Sequence, residues 1–226
     1  MTAEQQTLAE MAFDRIYGLI MAGELPLGGV VNEVALSQRF GISRGPIREA
    51  VQRLQGLRLI TREPYMRARV VSLSARDIVD IFQLREAAEG MACRLAAAHM
   101  CDADIAALAD ALERHARPAR SRRRTAQAFD LHVQIARGCG NRRIEQLLCE
   151  DLQHLLRLYR RRSGDKPGRR DQAFEEHWQI VRALRARDPD LAESLMRAHI
   201  GRATASLVRA LERDETAAGH ERRDAA

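Results

Sequence analysis

The chain has 226 residues, enough for one large domain or two ordinary ones, and 46% hydrophobic with 30% charged residues is the composition of a folded protein, not a disordered or fibrous one. It carries 37 Lys+Arg against 31 Asp+Glu, a net charge of +6, and every basic residue except Lys166 is Arg. No apolar run approaches a membrane span, and the first residues hold two glutamates and no basic start, so neither membrane insertion nor a secretory signal is expected. Aromatics are only 4% while Ala is frequent, which favours helices over sheets. Cys93, Cys101, Cys139 and Cys149 form no CxxC pair and read as reduced thiols of a cytoplasmic protein.

In chain order, apolar residues from Thr7 to Met21 recur at helical spacing, and the Gly- and Pro-rich stretch from Gly23 to Gly29 stops that helix. Asn32 is the expected N-cap of a short helix ending at Gly41. Ser43 is the expected cap of the next, which runs from Arg44 to about Leu57 with Pro46 in its first turn and Ile47, Ala50, Val51, Leu54 and Leu57 as its apolar face. Two short β-type runs, 59–62 and 68–73, flank Glu63-Pro64-Tyr65-Met66 as a hairpin. Beyond residue 73 the pattern becomes six long helices, at about 75–99, 103–117, 121–138, 142–162, 170–187 and 189–212, followed by a tail without an apolar stripe. The expected organisation is a DNA-binding domain over 1–73, an all-α domain over 74–213 and a flexible tail over 214–226.

Helix, tight turn, helix is the arrangement in which the second helix enters the DNA major groove by its N-terminus. Arg44 and Arg48 lie one turn apart on one face, and an Arg fork matches guanine or straddles a phosphate. The bland alternative is a solvated charged face. Charge position favours DNA: residues 39–69 hold eight Arg and two Glu, so the whole net charge of +6 resides there, and the rest of the chain is neutral. In the C-terminal half, His132, His177 and His199 each fall on the apolar stripe of a different helix. One inward His is ordinary core; three need partners, which a shared divalent metal would supply. A metal-free pocket that binds an anion when protonated is the other reading. Arg85 shares a stripe with Ile78 and Phe82, one turn from Glu89, and serves either as a structural ion pair or as a fork for an effector carboxylate.

The run from Asn32 to Leu54, and Ser43-Arg44-x-Pro46-x-Arg48-Glu49-Ala50 above all, resembles the winged helix-turn-helix of the GntR transcription regulators. The C-terminal half is similar to the FCD ligand-sensing domain of that superfamily's FadR branch, through Arg85-x-x-x-Glu89, His132 with Gly140-Asn141, His177-x-x-Ile180 and Met196-Arg-x-His199-Ile200. The resemblance implies a mainly α protein, with a winged helix-turn-helix whose wing is a small β-hairpin, joined to a helical bundle of about six helices. It implies that Arg44 and Arg48 reach the operator with the hairpin as wing, an effector site at Arg85, Glu89 and the three His, and a zinc-like divalent ion on His132, His177 and His199; Arg39, Ser43, Pro46, Arg53 and Arg67 are the further DNA-binding candidates. Two departures stand out. Ala128 occupies the family's usual carboxylate position four residues before the first His, and Asp130, about 200° around a helix from His132, cannot replace it. Arg58, Tyr65 and Arg67 stand where Gly is usual, so the wing is expected to turn differently.

The leading expectation is a homodimeric repressor that binds an inverted-repeat operator on double-stranded DNA and responds to a small carboxylate metabolite. The alternatives are a metal-dependent hydrolase built on the three His and a non-specific architectural DNA binder. The first lacks a general base beside the His and leaves the winged helix unexplained; the second leaves the His and Arg cluster without a purpose.

Overall fold

The computed structural model describes residues 6–116, 130–164 and 168–224, and its contacts divide into two units, Met1–Leu73 and Ser74–Ala226. In the first unit α1 (Leu8–Ala22), α2 (Glu33–Phe40) and α3 (Arg44–Gly56) precede an antiparallel pair, β1 (Ile60–Thr61) and β2 (Arg69–Val70), in register Ile60 opposite Val70. Thr7 opens α1 with a full capping box to Glu10, and Asn32 caps α2 by accepting from the Val34 and Ala35 amides. Ser43 sits at the N-cap of α3, but its side chain makes no capping bond. The buried face of α3 (Ile47, Ala50, Val51 and Leu54) belongs to the helix that packs on α1, whose Ile16 and Ile20 are also buried. Leu57, expected on that face, is instead the C-cap.

Two of the three positions where Gly is usual keep the backbone conformation of a Gly. Arg58, one residue beyond the C-cap of α3, has φ 57° and Tyr65 has φ 64°, both the left-handed conformation that a Gly would adopt freely. At the tip the Met66 amide donates to Glu63 O at 3.0 Å, giving a turn with Pro64 second and Tyr65 third, where type II geometry asks for Gly. Two non-Gly residues thus hold the conformation their replacement of Gly was expected to abolish. Arg67 adopts no such φ.

The second unit is built from α4 (Ala75–His99), α5 (Asp102–Ala116), α6 (Leu131–Gly138), α7 (Arg142–Gln146), a π-helical turn (Leu147–Asp151), α8 (Gln153–Gly164), α9 (Arg169–Arg185) and α10 (Pro189–Asp224). The most extensive packing joins α4 and α10, which run antiparallel: Arg94 pairs with Asp190 and Glu193, whereas Arg197 pairs with Glu86. Three expectations change. The helix that carries His132 starts at Leu131, because Asp130 is its N-cap and accepts from the His132 amide at 3.2 Å; the earlier part of the helix expected over 121–138, with the basic run 122–124 and Ala128, lies outside the described residues. The helix expected over 142–162 is split by the π-turn, closed by a bond from Leu152 N to Leu147 O at 3.0 Å. The segment expected as a tail continues α10 to Asp224.

Candidate functional site

On the first unit, Arg44 and Arg48 emerge from the leading turns of α3 on its exposed side, opposite the buried Leu54. Arg44 and, at the wing, Arg67 are exposed and form no ion pair among the described residues. Arg48 has 64% of its side chain exposed and reaches Glu33 only at 3.8 Å, a contact that solvent screens. The other side of Glu33 pairs with Arg62 of the wing. Sequence reading missed this acidic link between recognition helix and wing, because the three residues are distant in the chain. Arg39 pairs with Glu24 at 2.8 Å, and Arg53 places its guanidinium 4.5 Å from the centre of the Phe13 ring. Arg53 therefore already serves the α1–α3 contact. Pro46 is half-buried in the first turn of α3, and Ser43 is exposed with its hydroxyl uncommitted to capping.

In the second unit, α6, α9 and α10 bring His132, His177 and His199 together, one nitrogen from each lying within 4.8 Å of the others. Ring centres are 5.3, 5.2 and 4.7 Å apart. His132 and His199 are buried and His177 is half-buried. Of the other His, His99 is exposed, whereas His154 is half-buried, and burial lowers its pKa.

Each of the two buried imidazoles is held by a carboxylate. Glu89, on α4, accepts from Arg85 Nε at 2.6 Å through one oxygen and meets His132 Nδ1 with the other. Arg85 also approaches His132 Nδ1 at 3.4 Å. Both cannot be hydrogen bonds, because an ionised carboxylate only accepts: Nδ1 must carry the proton it gives to Glu89, and so cannot accept from Arg85. Arg85 and Glu89 are 0% and 3% exposed, so the structural ion pair is present, with the guanidinium 5.1 Å from the Phe82 ring centre.

The second carboxylate, Glu176, escaped the sequence reading. It accepts from His199 Nδ1 at 2.6 Å, from Arg202 Nε at 2.6 Å and from Arg169 at 3.0 Å. Burial pushes its pKa up, but these donors outweigh it and hold the carboxyl at about 2. Burial lowers His199 to about 4 against the pull of Glu176, so at neutral pH this imidazole is uncharged and its Nδ1–H faces a carboxylate. His177, next to Glu176 in the chain, joins the cluster itself, while Glu176, about 100° around the helix, meets a different His.

The donor set suits a divalent ion. Tetrahedral coordination by nitrogen at about 2.0–2.1 Å needs ligand atoms about 3.3 Å apart, within reach of small ring movements from the observed cluster. Asp130 is not a candidate fourth ligand, though not for the rotational reason given by the sequence: it precedes the helix and is occupied as its N-cap. Ala128, whatever its placement, offers no ligand atom.

Residues 8–70 match the model of the bacterial regulatory proteins, gntR family, and residues 80–202 match the FCD domain. A probable D-xylose utilization operon transcriptional repressor of Paenarthrobacter nicotinovorans is 31% identical over 86% of each chain. The HTH-type transcriptional repressor GlaR of Escherichia coli K12 is 31% identical over 73% of this chain and 80% of its own. Among solved structures, E. coli McbR/YncC superposes with a TM-score of 0.68 at 18% identity, covering 91% of this chain and 99% of that one. A Rhodococcus regulator gives 0.69 at 19% identity, covering 89% and 98%. At such identities these two matches speak for the fold. The matched families and relatives are regulators, which leaves the hydrolase alternative without support. No helix among the described residues is long and apolar enough to cross a membrane.

Proposed function

The chain belongs to the gntR family of bacterial regulatory proteins and carries an FCD domain, and from that premise we propose that it is a repressor whose operator affinity is set by a small carboxylate bound beside a divalent metal on His132, His177 and His199. The observation that carries this reading is the convergence of three imidazoles from three helices next to the buried Arg85. Metal is favoured over a metal-free anion pocket because the His199 Nδ1–H is already committed to Glu176, leaving a lone pair at Nε2, which repels an anion and attracts a cation. Three imidazoles leave coordination positions open for an effector carboxylate, whose charge Arg85 complements.

Operator contact falls to Arg44 and Arg48 at the head of α3, with Ser43 and Arg67 near the backbone. A homodimer would set two such helices one DNA turn apart on an inverted repeat, acting in the cytoplasm. A surface suited to pairing exists on the outer side of α4, where Leu84 and Met91, two turns apart, are 48% and 41% exposed. Effector binding would then shift the population between binding-competent and incompetent arrangements.

The test is footprinting on duplexes selected from a random pool, joined to a thermal-shift screen of organic acids with and without zinc. Protection of a short inverted repeat, its loss in Arg44→Ala and Arg48→Ala variants that remain folded, and zinc-dependent stabilisation by one acid are the outcomes that uphold the reading. Unchanged affinity in both variants overturns the DNA assignment. Stabilisation by an acid that ignores zinc overturns the metal.

A further inference from the structure

We infer that Glu89 and Glu176 are the positioning residues of the metal site, fixing His132 and His199 in the Nδ1–H tautomer so that both present Nε2 to a cation before any cation arrives. The inference rests on the metal reading above and deepens it. Its ground is a pair of matching arrangements on different helices. Each carboxylate is buried, each takes an imidazole Nδ1, and each has its other contacts filled by guanidinium groups: Arg85 for Glu89, and Arg169 and Arg202 for Glu176. The guanidinium groups favour ionised carboxylates, and an ionised carboxylate can only accept. The proton must therefore sit on Nδ1.

Three consequences follow from elementary chemistry. A metal that enters meets two lone pairs already exposed, with no tautomer to exchange. Rings gripped at Nδ1 cannot swing freely, so less order is created on binding. Carboxylates that accept from Nδ1–H also raise the basicity of the imidazoles as ligands.

The experiment uses the full chain, stripped with a chelator, and zinc and cobalt(II) ions alone as probes. Competition with a chromogenic chelator gives zinc affinity, and the visible spectrum of the cobalt(II) form reports coordination geometry. Glu89→Gln and Glu176→Gln keep an acceptor for Nδ1–H but remove its charge, and each is expected to weaken zinc binding by about 10- to 100-fold with far-UV circular dichroism unchanged. Glu86→Gln, which removes an ion pair with the exposed Arg197, is expected to leave affinity within about twofold. Long-range 1H–15N correlation spectra of the metal-free wild type at pH 8 read the tautomers directly and need no variant; Nδ1–H is expected at both His132 and His199. An Nε2–H tautomer at either residue, or wild-type affinity in both variants, overturns the role of the carboxylates while leaving the metal reading intact. A wild type that takes up neither ion overturns the metal reading itself.

Discussion

Replacing Tyr65 or Arg58 by Gly should make the first unit more stable, the opposite of the usual effect of Gly. Their φ values of 64° and 57° cost a residue with a Cβ about 1–2 kcal/mol each. Gly removes that cost and gives back about 0.4–1 kcal/mol through the greater freedom of the unfolded chain. Little else is lost: Tyr65 is fully exposed at 107%, Arg58 is exposed, and the bond from the Arg58 amide to Gln55 O survives the change. The net gain is about 0.5–1 kcal/mol per site, which for a unit of this size raises the midpoint by roughly 2–8 °C. Differential scanning calorimetry of the full chain measures it. Fluorescence of Trp178, the single Trp, reports from the second unit. Arg67→Gly, in the same wing but without a left-handed φ, should instead lower stability slightly. A Tyr65→Gly variant that melts at or below the Arg67→Gly variant would refute the strain argument.

Glu89→Ala leaves Arg85 charged and buried without its carboxylate, and urea denaturation should show a loss of about 3–5 kcal/mol; a loss under about 1 kcal/mol would mean water reaches the guanidinium. For the metal-free protein, the depressed pKa of His199 means the unfolded chain takes the proton first, so stability present above about pH 6.5 is lost towards its folded value of about 4. The slope is at most about 1.4 kcal/mol per pH unit, with Glu176 adding to the loss below about pH 4.5. Urea midpoints constant from pH 7 to 5 would contradict this. Arg187→Ala removes donors to the Ala97 and Met100 carbonyls at the end of α4 and a pair with Asp102, and should cost about 1–2 kcal/mol by the same assay; an unchanged midpoint would show that water replaces those bonds.

What the sequence revealed depends on whether a feature is local and periodic. The recognition helix was legible because Ile47, Ala50, Val51 and Leu54 repeat at helical spacing and are all buried. The three His were legible for the same reason, each on its own stripe. Glu176 was not, because no local pattern tells that it reaches across to α10 while the adjacent His177 joins the cluster. Nor was the start of α6: Asp130 is a good N-cap, but it stood inside an apolar pattern that read as continuous helix. At Arg58 and Tyr65, the family resemblance marked positions where Gly is usual, and the expected change of conformation did not follow, because the backbone there keeps a left-handed φ without Gly.

The π-turn at Leu147–Asp151 bears on how this chain can change its length. A π-turn holds one residue more than an α-helix joining the same two faces would need, so the surplus is absorbed without rotating what lies on either side. Deleting one residue there restores regular helix and leaves Ile144, Leu155 and Tyr159 facing as they do now. The same deletion at Arg157, inside α8, turns everything beyond it by about 100° and carries Tyr159 out of the core. In this second unit, then, the loss of one residue has a helical position at which it can be accommodated, as well as the loops.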